Sequence, residues 1–130
     1  MWAGTALATV ALLGACTKDE GSADELCGAV AANDVTTVLR GFDPTDPESA
    51  VEQLRDARVT LGDLLDVAPD EVHDDLQVEI DYVQALIEAL EPVEAGNAAE
   101  SALQVQAVTD AHPDVADAAA NLAAFADDKC

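Results

Sequence analysis

Aromatic and basic residues are scarce in this chain. Its 130 residues include two Phe, one Tyr and one Trp, and 5 Lys and Arg stand against 27 Asp and Glu, for a net charge of −22. Nucleic acids bind proteins mainly through Lys and Arg contacts to phosphate, so this charge excludes a DNA or RNA partner. It also repels anionic lipid headgroups, so a basic patch is not what would hold the protein at a membrane.

The sequence also lacks the patterns of strands, membrane spans and common catalytic motifs. No segment alternates apolar and polar residues for long enough to predict a β-strand. The uncharged stretch from Trp2 to Ala15 is shorter than the about 20 residues that a transmembrane helix needs. Neither a Gly-x-Ser-x-Gly motif nor a glycine-rich phosphate loop is present. We therefore expect an all-α protein that is not an enzyme and uses no cofactor.

The N-terminal apolar stretch ends in the residues Leu13-Gly14-Ala15-Cys16. A short apolar segment, small residues before a cleavage point and a cysteine directly after it resemble the lipobox of bacterial lipoproteins. The apolar region of a signal peptide has about 7–15 residues, which this stretch fits, although no basic residue precedes it. The resemblance implies cleavage after Ala15 and a lipid on the Cys16 thiol. Residues 1–15 are then the signal peptide, and residues 16–22 are the lipidated cysteine and a polar tether.

The chain has three cysteines, and the lipobox accounts for the odd one. If Cys16 carries a lipid, Cys27 and Cys130 remain to pair in an oxidising compartment, where disulfides persist. Such a bridge closes nearly all of the remaining domain, residues 23–130, into one ring. In the chain-entropy account, a loop of about 100 residues gains about 4.7 kcal/mol of stability.

Apolar residues recur at spacings of three and four along residues 23–130, which indicates amphipathic helices. Ser22 suits the N-cap of the first helix, Asp46-Pro47 the start of the second, Pro69 the boundary before the third, and Pro113 the start of the last. The positions expected to face the core are, helix by helix, Cys27, Ala31, Val35, Val38 and Phe42; Ala50, Val51, Leu54, Ala57, Leu61, Leu64, Leu65 and Ala68; Val72, Leu76, Ile80, Val83, Ile87 and Leu90; Leu103 and Val108; Val115, Ala119, Leu122, Phe125 and Ala126.

The predicted disulfide restricts how these helices are arranged. Cys27 lies near the start of the first helix and Cys130 at the end of the last, and a disulfide needs their Cα atoms within about 7 Å. In an up-down bundle of four helices the two chain ends lie at the same end, whereas five full-length helices would separate them. We therefore predict an up-down bundle of four main helices closed by one disulfide, with residues 99–110 as a short connecting helix.

Two acidic segments resemble cation sites only partly. Asp43, Asp46 and Glu48 cluster in a turn, but prolines interrupt them and the glycine of a calcium loop is missing. Asp70 and His73 give one imperfect copy of the Glu-x-x-His motif that di-iron bundles carry twice. We predict helix caps, a solvent-facing His73 and no metal site. Weak binding of divalent cations such as calcium is the alternative function.

The other polar residues have structural interpretations. Arg58 lies at the edge of the second helix's apolar stripe, where we expect it to extend along that stripe or pair with an acid. His112, directly before Pro113, is expected to cap a helix or lie in a turn. The remaining carboxylates lie on predicted exposed faces, so no pair stands out for acid–base catalysis.

The whole chain resembles a known class of proteins. A lipobox, a polar tether, an early cysteine, the helix start Ala68-Pro69-Asp70-Glu71-Val72 and a terminal cysteine are similar to small helical lipoproteins of high-GC actinobacteria. That class has no established activity, so the resemblance implies location and fold alone. We expect a non-enzymatic interaction or structural module of the cell envelope, lipid-anchored to the extracytoplasmic face of the cell membrane through Cys16. The sequence identifies neither a protein partner nor an oligomeric state.

Overall fold

The computed structural model describes residues 22–33 and 42–130 of the chain. These residues form five α-helices: α1 (Ala23–Asn33), α2 (Pro47–Val67), α3 (His73–Leu90), α4 (Ala98–Ala111) and α5 (Val115–Lys129). One 3-10 turn, Asp70–Val72, leads into α3. No strand occurs within the described residues, and the predicted all-α helical bundle is confirmed.

The first two helices begin where the sequence predicts. The Ser22 hydroxyl accepts a hydrogen bond from the Glu25 amide at 3.1 Å, and the Asp46 carboxylate accepts one from the Ser49 amide at 3.2 Å. Both bonds satisfy amide groups that have no partner inside the helix. Pro47 occupies the first helical position of α2, where its missing N–H costs nothing.

Helix α3 is the element against which α2, α4 and α5 pack. It packs most extensively against α2, and it also contacts α4 and α5, while α1 packs against α2 and α5. The buried apolar core therefore comes mainly from α2 and α3. Its members are Leu26, Ala50, Val51, Leu54, Ala57, Leu61, Leu64, Ala68, Val72, Leu76, Val83, Leu86, Ile87 and Leu90.

The predicted apolar stripe of α2 and the predicted repeat of α3 lie in or against this core. Leu65 and Ile80 are half-buried and pack against it. Two members of this core cluster are not predicted by the apolar spacing: Leu26 in α1 and Leu86 in α3, which are 4% and 0% exposed. Leu86 lies beside the three-four repeat, and it is buried because neighbours on several sides of α3 widen the covered face. Val35 and Val38, and the side chain of Ala31, lie outside the described residues.

Two predicted core positions in the last two helices are wrong. Leu103 is 69% exposed because α4 packs mainly against α3 along one narrow face, which holds Val105 and Val108. Ala119 is exposed, whereas its neighbour Ala118 is 2% exposed. The other predicted inward residues of α5 (Val115, Leu122, Phe125 and Ala126) are half-buried.

The predicted pairing of Cys27 with Cys130 is confirmed. The two residues form a disulfide with a Cα–Cα distance of 5.6 Å across a sequence separation of 103 residues. The bridge joins α1 to the residue that follows α5. All the described helices, the core and the bridge lie within the predicted mature chain, residues 16–130.

The substitution Cys130→Ser should lower the free energy of unfolding by about 2–4 kcal/mol, because the unfolded chain is then no longer cross-linked. Denaturant unfolding of residues 16–130 carrying Cys16→Ser, with and without Cys130→Ser, measures the difference. Circular dichroism at low temperature should retain most of the helical signal, since the core cluster is unchanged. Two free thiols in the folded, non-reduced reference protein would contradict the pairing.

Leu90→Ala should destabilise the protein by about 2–5 kcal/mol, because Leu90 is 1% exposed and its truncation leaves a cavity. The matched control is Leu103→Ala at an exposed position, which should change stability by no more than about 0.5 kcal/mol. Thermal and denaturant unfolding of both variants tests the two values. Similar losses from both substitutions would show that α4 is buried against another surface.

Candidate functional site

The described helices leave a partly enclosed cavity of about 410 Å³. It lies between α2, α3 and α5 and is also bordered by Leu26 and Val30 of α1. Its volume falls within the range of about 300–1,000 Å³ that is typical of ligand pockets. The wall is mostly apolar, with large side chains contributed by Leu61, Leu76, Tyr82, Leu86, Leu122 and Phe125.

The composition of α5 accounts for the space left between the described helices. Four of its alanines line the cavity: Ala116, Ala119, Ala123 and Ala126. A methyl side chain cannot reach across the gap to α2, so only the larger residues of this face, such as Leu122 and Phe125, fill part of it. Ala119 is thus exposed towards the cavity and not towards a packed neighbour.

A single glutamate lies in this apolar wall. Glu79 on α3 is 3% exposed, and its Oε1 has no hydrogen-bond partner among the described residues. A buried polar atom without a partner costs free energy, and the cost is larger for a charged group. The prediction that the carboxylates lie on exposed faces is wrong for Glu79. Its position gives the reason, because it follows Leu76 by three residues and precedes Val83 by four, on the inward face of α3.

Burial changes the acidity of this carboxyl group. Desolvation by burial, which is the larger cause, and the negative charge of Asp75, one helical turn earlier, together raise the pKa of Glu79 from 4.5 to about 7. Asp75 is held in place by Asn121 of α5, whose amide donates a hydrogen bond to it at 3.1 Å. Near neutral pH, Glu79 is therefore divided between its protonated and ionised forms.

Tyr82 is fixed between the cavity and α4. Its hydroxyl lies 2.9 Å from the Thr109 hydroxyl, which donates its own proton to the Val105 carbonyl at 2.8 Å, so Tyr82 is the donor to Thr109. The Tyr82 ring also meets His112 edge-on, with 5.8 Å between the ring centroids. His112 occupies the C-cap of α4, which confirms its prediction as a cap residue.

Two more polar side chains, those of His73 and Arg58, have partners in the fold, and the prediction that His73 faces solvent is wrong. His73 is half-buried, and its Nε2 lies 2.8 Å from the Ala68 carbonyl, because the chain reverses after Pro69 and brings the end of α2 over the start of α3. Arg58 is exposed and donates to the side-chain amide oxygen of Gln84 on α3 in place of an acid.

The carboxylates of Asp43 and Asp46 in the acidic turn at residues 43–48 accept local hydrogen bonds. The Asp43 carboxylate accepts from the Thr45 hydroxyl at 2.6 Å and from the Thr45 amide at 2.8 Å, and these bonds hold the pKa of Asp43 below its usual value. Asp46 caps α2. Within residues 22–33 and 42–130, no group of three or more His, Cys, Asp or Glu is placed to hold a metal ion.

The predicted cleavage residue Ala15 and the predicted lipidation residue Cys16 lie outside the described residues. None of the helices in the described part of the chain is long and apolar enough to cross a membrane. Comparisons with protein-family models, curated proteins and solved structures found no match.

The stabilising effect of Glu79→Gln should grow between about pH 5 and about pH 8. The raised pKa means that Glu79 favours folding fully below about 4.5 and that this contribution is lost as the pH rises through about 7. Glutamine does not ionise, so the variant should gain about 1–2 kcal/mol over the wild type across this interval, with the cavity's partial hydration reducing the full linkage value.

Denaturant unfolding at both pH values measures this difference. The matched control is Glu94→Gln, which removes an exposed glutamate from the loop before α4 and should give a nearly constant difference. An equal effect of Glu79→Gln at the two pH values would show that the buried carboxyl group has an ordinary pKa.

Proposed function

We propose that this protein is a non-enzymatic, lipid-anchored binding module on the extracytoplasmic face of the bacterial cell membrane. The observation that carries the location is the division of its three cysteines. Cys27 and Cys130 form a disulfide, and the remaining Cys16 stands at the cleavage point of a lipobox. Disulfides persist outside the reducing cytoplasm, so the bridge and the anchor agree on one compartment.

The cavity supports binding as the role of the helical domain. Among the described residues its wall is mostly apolar and includes one charged side chain, a composition typical of small-molecule pockets, in which apolar surface supplies affinity and a few polar atoms fix orientation. The alternative role, weak binding of divalent cations, has no comparable support. In the turn before α2, Asp43 accepts hydrogen bonds from Thr45, and Asp46 caps the helix.

Cys16→Ser should release the full-length protein from the membrane fraction and abolish incorporation of labelled fatty acid in a bacterial host. The wild-type protein should remain in the membrane after a high-salt wash, since two acyl chains anchor firmly whereas one binds only marginally. The matched control is Cys27→Ser, which removes another cysteine and should leave lipid labelling intact. A membrane-bound Cys16→Ser protein, together with an unlabelled wild type, would refute the anchor.

A further inference from the structure

Glu79 is the only charged side chain among the described residues that line the cavity. Glu79 contributes a carboxyl group whose Oε1 has no partner among the described residues, and no Lys or Arg of the described residues lines the cavity. The described basic side chains are engaged elsewhere: Arg55 lies 2.6 Å from Glu91, Arg58 bonds Gln84, and Lys129 lies 3.6 Å from Asp128. Among the described residues, no basic side chain is therefore placed to neutralise Glu79.

The net charge of the whole chain favours positively charged ligands over negatively charged ones. A net charge of −22 raises the local concentration of cations and lowers that of anions around the protein. A fatty acid or another anionic amphiphile is thus disfavoured on approach, and it would meet a carboxyl group inside. A molecule with a positively charged nitrogen is favoured both as it approaches the protein and inside the cavity.

We infer that the cavity binds a small apolar amine, with its hydrocarbon body against Leu122, Phe125 and Leu86 and its ammonium group paired with Glu79. This inference rests on the proposed binding function and specifies its ligand class. The apolar body displaces water from the wall, and the ammonium supplies a positive charge to a carboxyl group that no basic side chain of the described residues pairs.

Two features of the free protein reduce the free-energy cost of binding such a ligand. Burying an ion pair normally requires both charges to leave water, and this requirement often cancels their attraction. Glu79 is already withdrawn from solvent before any ligand arrives, so the amine alone has to be desolvated on binding. The hydrogen bond from Tyr82 to Thr109 likewise fixes one wall of the cavity in advance.

Three probes with the same hydrocarbon chain test the charge preference: octylamine, octanol and octanoate. Each is titrated near neutral pH into residues 16–130 carrying Cys16→Ser, with calorimetry and the NMR signals of Tyr82 and Phe125 as readouts. Octylamine should bind at least about tenfold more tightly than octanol, and octanoate more weakly than either. Ethanolamine, which has no apolar chain, should leave the Tyr82 and Phe125 signals unchanged.

Two variants separate the cavity from the acidic surface. Glu79→Gln should reduce octylamine binding to the level of octanol, whereas Glu94→Gln should leave both affinities unchanged. Ala119→Leu, which adds a larger side chain on the cavity wall, should weaken octylamine and octanol together. Octylamine affinity that is unchanged by Glu79→Gln or by Ala119→Leu, wild-type binding of octanol as tight as that of octylamine, or no binding by any probe would overturn the inference. None of these outcomes affects the fatty-acid labelling of Cys16, so the anchor stands or fails separately.

Discussion

The contact between α2 and α3 is the interaction on which the rest of this structure depends. Both helices present rows of fully buried Leu and Val side chains to each other, and most of the core cluster belongs to them. The chain offers few aromatic residues, so its core is built mainly from Ala, Val and Leu, which individually remove less apolar surface from water. Burial therefore has to be concentrated in one long helix pair. The remaining helices add little fully buried surface of their own.

The consequence is seen in α4 and α5, which contact α3 but bury no large side chain completely. The buried residues of these two helices are small, Ser101 in α4 and Ala118 in α5. A helix attached by such contacts is held weakly by apolar packing. The Cys27–Cys130 bridge supplies a covalent restraint at the end of α5, where the alanine-rich face leaves the cavity. The alanine-rich composition of α5 thus leaves this helix loosely packed, and the disulfide restrains its end covalently.

The sequence predicts the buried face of a helix well where the rest of the protein covers only one side of that helix. The stripe of α2 and its Asp46-Pro47 start follow from spacing and capping, because α2 has a clear polar face. The prediction fails at Ala119 in α5, since three consecutive alanines, Ala118 to Ala120, fit either face equally and give no directional signal. It fails at His73 because that contact depends on how the chain turns between two helices, which periodicity does not encode. Cysteine parity, in contrast, identified a long-range contact across 103 residues.

Glu79 is the position at which the sequence departs most from the residue that stability alone would favour. Its spacing from Leu76 and Val83 places it on the core face, and an apolar residue there would avoid the desolvation of a carboxyl group. Ser101 is also buried with its hydroxyl unpaired among the described residues, but a neutral hydroxyl carries a smaller penalty than a carboxylate. Departures from local rules that cost stability concentrate at functional positions in real proteins. In this chain the departure coincides with the cavity, inside a surface that attracts cations. The charge pattern and the unfilled volume thus point to the same place in the fold.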